Sequence, residues 1–176
     1  MISEKMLKAL NEQVNAEYYS AYLYNSMSAY MENTALKGVA NWLFVQAKEE
    51  MAHGINIYQY ILDRGEAPVL TAIQQPPVTF DGIKDVFEAV YEHEKKVTGM
   101  INAIASLALQ ENDHACYQFI MWYVNEQVEE ESNATDIIDK VDLIGGEKGL
   151  LLALDNELGA RVFVNPFPNN AKLSGA

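Results

Sequence analysis

Residues 48–55, KEEMAHGI, set two adjacent carboxylates ahead of a histidine inside a long apolar-periodic run. Glu50 and His53 are three apart, so on a helix they lie roughly 60° apart around the axis and about 4.5 Å along it. That spacing lets both side chains grip one metal ion. On a solvated face it would mean nothing, because Glu and His are ordinary there. Reading at intervals of seven decides the face. One line runs Leu36, Leu43, Glu50, Ile57, and its neighbour runs Val39, Gln46, His53, Tyr60. Both are inward-facing seams of a bundle helix, each interrupted by polar residues near its middle.

The helix that carries them is one of four. Proline is absent from residues 1–67, clusters at 68, 76 and 77, and returns only at 166. The helix-compatible blocks are therefore long: 3–32, 35–64, 82–111 and 113–144, each about 45 Å at 1.5 Å per residue. Ser3, Asp81 and Asp113 suit N-caps, and Gly65 suits a C-terminal stop. The short links around Asn33 and Asn112 force antiparallel neighbours. The middle segment, GEAPVLTAIQQPPVTFD (65–81), is long enough to cross the length of a bundle. The pattern predicts an all-α protein: a ferritin-like four-helix bundle with a long crossover between helices two and three. A short fifth helix follows in KGLLLALDNELGARVFV (148–164). Residues 1–163 are expected to form the domain and 164–176 a C-terminal tail.

The remaining seams repeat the interruption. Block one reads Leu10, Glu17, Tyr24, Met31, and block three reads Phe87, Glu94, Ile101, Ala108. Block four reads Cys116, Tyr123, Glu130, Ile137 beside Ile120, Gln127, Ala134, Val141. Helices of equal length bring their middles to one height, so Glu17, Glu50, His53, Glu94, Gln127 and Glu130 should meet in one core layer. Ionised carboxylates are almost never buried unpaired, and no Lys or Arg stands on these seams at that height. Four glutamates match two divalent cations, and mixed carboxylate and imidazole ligands suit iron or manganese. A di-iron bundle would carry a second Glu-x-x-His on helix four; here Gln127 and Glu130 stand in its place. Glu49, Glu126 and Glu129 lie beside the seams and read either as a solvated acidic face or as an auxiliary cation site. Tyr24 should lie near the metals. Trp122 reads as packing, His93 and His114 as ordinary histidines, Cys116 as a buried structural thiol, and Met6, Met27, Met31 and Met51 as helix core.

Composition limits the partners. The 176 residues suit one well-filled domain, and 49% of them are hydrophobic. A net charge of −13, from 25 acidic and 12 basic residues, argues against nucleic acid and anionic membrane surfaces. It favours cations. One cysteine excludes an internal disulfide framework and suggests a reducing compartment. MISEKMLKAL lacks the apolar core of a signal peptide, and no run approaches a membrane span, so a soluble cytoplasmic protein is expected.

Four motifs together carry a family resemblance: NAEYYSAYLY (15–24), QAKEEMAH (46–53), VYEHE (90–94) and WYVNEQVEEE (122–131). They resemble the prokaryotic haem-free ferritins, in register over essentially residues 1–163. The resemblance implies an iron-storage protein that assembles as a hollow shell of 24 subunits and oxidises Fe(II) with dioxygen or hydrogen peroxide. It implies a di-iron ferroxidase centre at Glu17, Glu50, His53, Glu94, Gln127 and Glu130, with Tyr24 beside it. A third iron site is implied at Glu49, Glu126 and Glu129, shared with Glu130, and the fifth helix would line the four-fold axes. Three features stand apart. Gly54 follows His53 directly and is expected to loosen that turn. The NPFPNN stretch lies outside the pattern. Met51 occupies the place where the haem-binding relatives carry their haem ligand, but the second Glu-x-x-His of that branch is missing, so haem is not expected. A di-iron peroxidase of the rubrerythrin type is disfavoured because its usual paired Cys-x-x-Cys motifs cannot be built from one cysteine.

Overall fold

The computed structural model describes residues 2–170 and 172–173. Among them, α1 (Glu4–Glu32), α2 (Lys37–Asp63), α3 (Gly82–Gln110) and α4 (His114–Ile144) form the bundle, and α5 (Lys148–Gly159) packs across one end. The helices α1 and α2 pair antiparallel, as do α3 and α4, and residues 64–81 make the crossover. No helix among the described residues is long and apolar enough to cross a membrane.

Capping chemistry fixes most of the boundaries. The Ser3 hydroxyl accepts from the Met6 amide at 3.0 Å, and the Asp113 carboxylate accepts from the Cys116 amide at 3.0 Å. Gly65 ends α2 with φ +85°, and Gly145 ends α4 in the left-handed region at φ +56°. Asp81 departs from the expectation. It stands at the N-cap of α3, but its side chain caps nothing; Asp85 instead reaches back to accept from the Asp81 amide at 2.8 Å. At α2 the N-cap residue, Leu36, has no side-chain acceptor. The cap comes from α5, where the buried Asp155 carboxylate accepts from the Val39 amide at 2.9 Å. Its negative charge also suits the positive end of the α2 dipole.

That cap requires close approach, and glycine provides it. A Cβ on Gly38 would lie 1.7 Å from the Asp155 carbonyl oxygen, so only glycine lets α5 sit down on the start of α2. The docking of α5 aims the following residues back along the bundle.

The core is divided in two. Tyr24, Met27, Leu43, Phe87 and Ile137 belong to one buried cluster; Leu10, Ile57, Ile101, Cys116 and Ile120 belong to the other. A layer of buried polar side chains separates them. Met51, expected in the core, is 42% exposed. It follows Glu50 by one residue and is therefore about 100° off the seam.

Candidate metal centre

Each bundle helix contributes to the polar layer from its inward-facing seams. Glu17 comes from α1, Glu50, His53 and Gln46 from α2, Glu94 from α3, and Gln127 and Glu130 from α4, and all are buried. The six residues expected to meet do lie in this layer, though not as one cluster. Ligand atoms of Glu17, Glu50 and His53 lie within 4.8 Å of one another. Glu94 and Glu130 face neutral partners instead. Glu94 accepts from the Gln127 amide at 3.0 Å and from the Tyr24 hydroxyl. Glu130 accepts from Gln46 Nε2 at 2.6 Å, and the same amide reaches Glu50 at 3.3 Å.

Burial favours the protonated form of most acids in this layer. Burial, then the charge of Glu50, pushes the Glu17 carboxyl well above its usual range. Burial, then Glu50 and Glu94, does the same to Glu130. Glu94 rises to about 7, mainly through burial, with the Gln127 hydrogen bond opposing. Glu50 behaves differently: burial would raise it, but the charge and hydrogen bond of His53 overcome that and lower it. Burial disfavours the imidazolium of His53, yet Glu50 and Glu17 outweigh it and hold His53 at about 10. Glu50 and His53 thus form a buried ion pair, with Nδ1 3.5 Å from Glu50 Oε2. Each of these protons sits on an atom that could bind a metal.

Among the described residues, two buried side-chain atoms have no hydrogen-bond partner: Gln13 Oε1 and His53 Nε2. Buried polar atoms are normally satisfied, so an orphaned imidazole nitrogen beside several carboxylates fits a missing cation or hydrogen-bond acceptor. The donor set, carboxylates with one imidazole and no thiolate, suits a divalent iron or manganese ion.

The flank is built on other terms. Glu49 and Glu126 are half-buried and Glu129 is exposed. Burial raises the Glu49 and Glu126 carboxyls. Arg161, from the segment after α5, forms an ion pair with Glu49 and donates to Gln46 Oε1 at 2.6 Å. Sequence periodicity could not reveal that cation, because Arg161 lies on no seam and comes from a distant element. The second-layer glutamines were more legible. Gln13 donates to Glu17 at 2.8 Å and Gln46 to Glu50, so both helices repeat a Gln four residues before the Glu it contacts.

The remaining side chains divide cleanly. Trp122 packs edge-on to His53, with ring centroids 5.4 Å apart. Cys116 is a buried free thiol. His93 bonds Ser20 Oγ through Nε2 at 2.7 Å, and His114 is exposed. Gly54 is explained by contact rather than by flexibility: a Cβ there would meet the Tyr18 ring at 2.5 Å. The glycine lets α1 close on α2 one residue past His53.

Known proteins agree with this architecture. The ferritin-like domain family matches residues 7–144. A bacterial non-heme ferritin of Staphylococcus epidermidis is 41% identical over 163 residues, covering 93% of this chain and 98% of its own. A probable bacterial non-heme ferritin-like protein of Haemophilus influenzae is 40% identical over 160 residues, covering 90% of this chain and 96% of its own. Among solved structures, an open-pore ferritin of the hyperthermophilic archaeon Archaeoglobus fulgidus superposes with a TM-score of 0.90 at 49% identity, covering 92% of this chain and 98% of that one. A form of the same archaeal ferritin engineered to be closed gives 0.91 at 48%, covering 93% and 100%. With a family match over most of its length and relatives of this identity and coverage, the chain belongs to the ferritin-like family and is similar in sequence to bacterial non-haem ferritins and in fold to an archaeal ferritin.

Proposed function

We propose that this protein stores iron: it oxidises Fe(II) in the buried layer and deposits hydrated ferric oxide inside a shell of 24 subunits. The observation that carries the reading is the meeting of Glu17, Glu50 and His53 at ligand distance, in a core layer whose other acids are pushed by burial toward holding protons. Such a layer is costly unless cations replace those protons.

Fe(II) is the substrate. One ion is held by Glu17 and His53, a second by Glu94 and Glu130, and Glu50 lies between them. Gln127 and Tyr24 hold the Glu94 carboxylate, and Gln46 ties Glu50 to Glu130, so the two halves of the layer are oriented together. Entry of the cations expels protons from Glu17, Glu94, Glu130 and His53. Two Fe(II) ions supply two electrons, which with two protons convert dioxygen to hydrogen peroxide, or hydrogen peroxide to two waters. Carboxylates favour the ferric product and can release it, since they shift between one- and two-oxygen binding.

Glu49, Glu126 and Glu129 act as an auxiliary cation site outside this layer. The net charge of −13 draws Fe(II) toward the protein. Assembly is supported by large apolar side chains left open on a single chain, among them Tyr22, Phe44 and Met51. In the shell, α5 lines the four-fold axes, residues 1–163 form the structural unit, and the setting is the cytoplasm.

Aerobic loading with Fe(II) followed by size-exclusion chromatography tests the reading. A particle of about 24 subunits that keeps iron far beyond its ligand count is expected. A monomer or dimer retaining only a few ions per chain would overturn it.

A further inference from the structure

We propose that residues 161–170 form a strap that keeps the auxiliary carboxylate site filled by the chain's own guanidinium until a divalent cation displaces it. The inference rests on the reading of Glu49, Glu126 and Glu129 as a cation site. It adds what occupies that site beforehand and what orders its filling.

The strap starts from a fixed anchor. Asn41 Nδ2 donates to the carbonyls of Gly159 at 3.2 Å and Arg161 at 2.9 Å, just where α5 docks on α2. The chain then follows α2 toward its C-terminal end. Arg161 lies against Gln46 and Glu49, Phe167 against His53, and Asn170 donates to Asn56 Oδ1 at 3.2 Å. The Arg161 guanidinium also sits 4.5 Å over the Trp42 ring. A planar fork suits this place because it spans Glu49 and Gln46 at once and is weakly hydrated. Phe167 is held between Pro166 and Pro168, with its amide donating to Asn165 Oδ1 at 2.9 Å. Its ring centroid lies 4.5 Å from that of Trp122 and 6.0 Å from that of His53.

A second observation points to a ligand on the same flank. His53 Nε2 is buried, has no hydrogen-bond partner, and lies 4.0 Å from Glu126 Oε1. The imidazole thus faces Glu50 through Nδ1 and the auxiliary acids through Nε2. A divalent cation accepting oxygens from Glu49 and Glu126 would need the carboxylate that Arg161 holds. The guanidinium and the cation, both positive, compete for it. A tethered group competes at an effective concentration on the order of millimolar, so the auxiliary site fills only after the buried layer has been satisfied.

The protein carries its own reporters, because its two tryptophans are Trp42 under Arg161 and Trp122 beside Phe167. The assembled protein is titrated anaerobically with Zn²⁺, following heat and tryptophan emission together. In the wild type, two equivalents per chain bind with little change in emission, and a weaker third changes it. In Arg161→Gln the third event tightens by about three- to tenfold while the first two move less than twofold, and Arg161→Lys falls between. Phe167→Ala loses the Trp122 part of the emission change and keeps the first two equivalents. A third event of equal affinity in wild type and Arg161→Gln would overturn the strap and leave the storage reading standing. Absence of a third event from both would overturn the strap together with the auxiliary site. Absence of all binding would overturn the buried centre itself.

Discussion

The buried layer and its flank hold similar acids under different neutralisation. Glu17, Glu94 and Glu130 sit where burial drives their pKa values up and favours their protonated forms. Glu49 lies one residue from Glu50 yet meets Arg161, a permanent cation from another element. Only the turn of the helix separates the two cases, since successive residues are 100° apart. One faces the core, where any charge must be cancelled locally; the other faces a groove that a passing segment can cover. The inner site should therefore answer to pH and to loss of ligands, and the outer one to changes at residue 161 and to salt.

The sharpest break between the regions is kinetic. His53→Ala or Glu50→Ala should slow oxidation of the first two irons per chain by at least the roughly 100-fold that changes around a metal ligand reach, with helix content and assembly unchanged. Stopped-flow absorbance with wild-type burst amplitude in either variant would remove these residues from the centre.

The next effect is thermodynamic. Glu94 titrates near 7 in the folded chain against an ordinary value of 4.5, so the folded state binds more protons than the unfolded state between those values. Stability of the metal-free protein must then fall as pH rises through that window, by on the order of 3 kcal/mol from this group at most. His53 adds a loss of the same sign between 6.5 and about 10. Excess Zn²⁺ should flatten or reverse the slope, because the cation replaces the protons. Melting of reversibly unfolding subunits from pH 5 to 8 measures both; a metal-free stability rising with pH would show that the layer is not proton-neutralised.

A smaller change is expected from Glu94→Gln. It removes one crowded acid, so metal-free melting at pH 8 should stay the same or rise by about 3 °C, while the Zn²⁺-induced gain shrinks. Equal Zn²⁺ shifts in the two proteins would mean that Glu94 binds no metal. The smallest effect on the first burst belongs to the flank. Glu49→Ala combined with Glu126→Ala should spare that burst and alter only later turnover. A burst lost as completely as in His53→Ala would merge the two regions into one site.

Proline spacing and link lengths determined the bundle and the crossover, and the heptad interruptions determined the height of the acidic layer. Periodicity assigns each residue to a face, and equal helix lengths assign the faces to a common level. The same register put Tyr24 near the acidic layer, where its hydroxyl meets Glu94, and Cys116 in the core. Other features depended on where separate segments came together. Gly54 read as a weak point until the Tyr18 ring was seen to fill the space beside it. Asp81 had the right residue type for a cap, but Asp85 makes the contact. Met51 looked like core in a long apolar run, although its angle around the helix puts it outside. The segment after α5, which fits no period, supplies Arg161 to Glu49 and Phe167 to His53. A periodic helix states its own facing because every turn repeats the same geometry. An aperiodic segment takes its path from the surface on which it lands, and only the folded protein contains that surface.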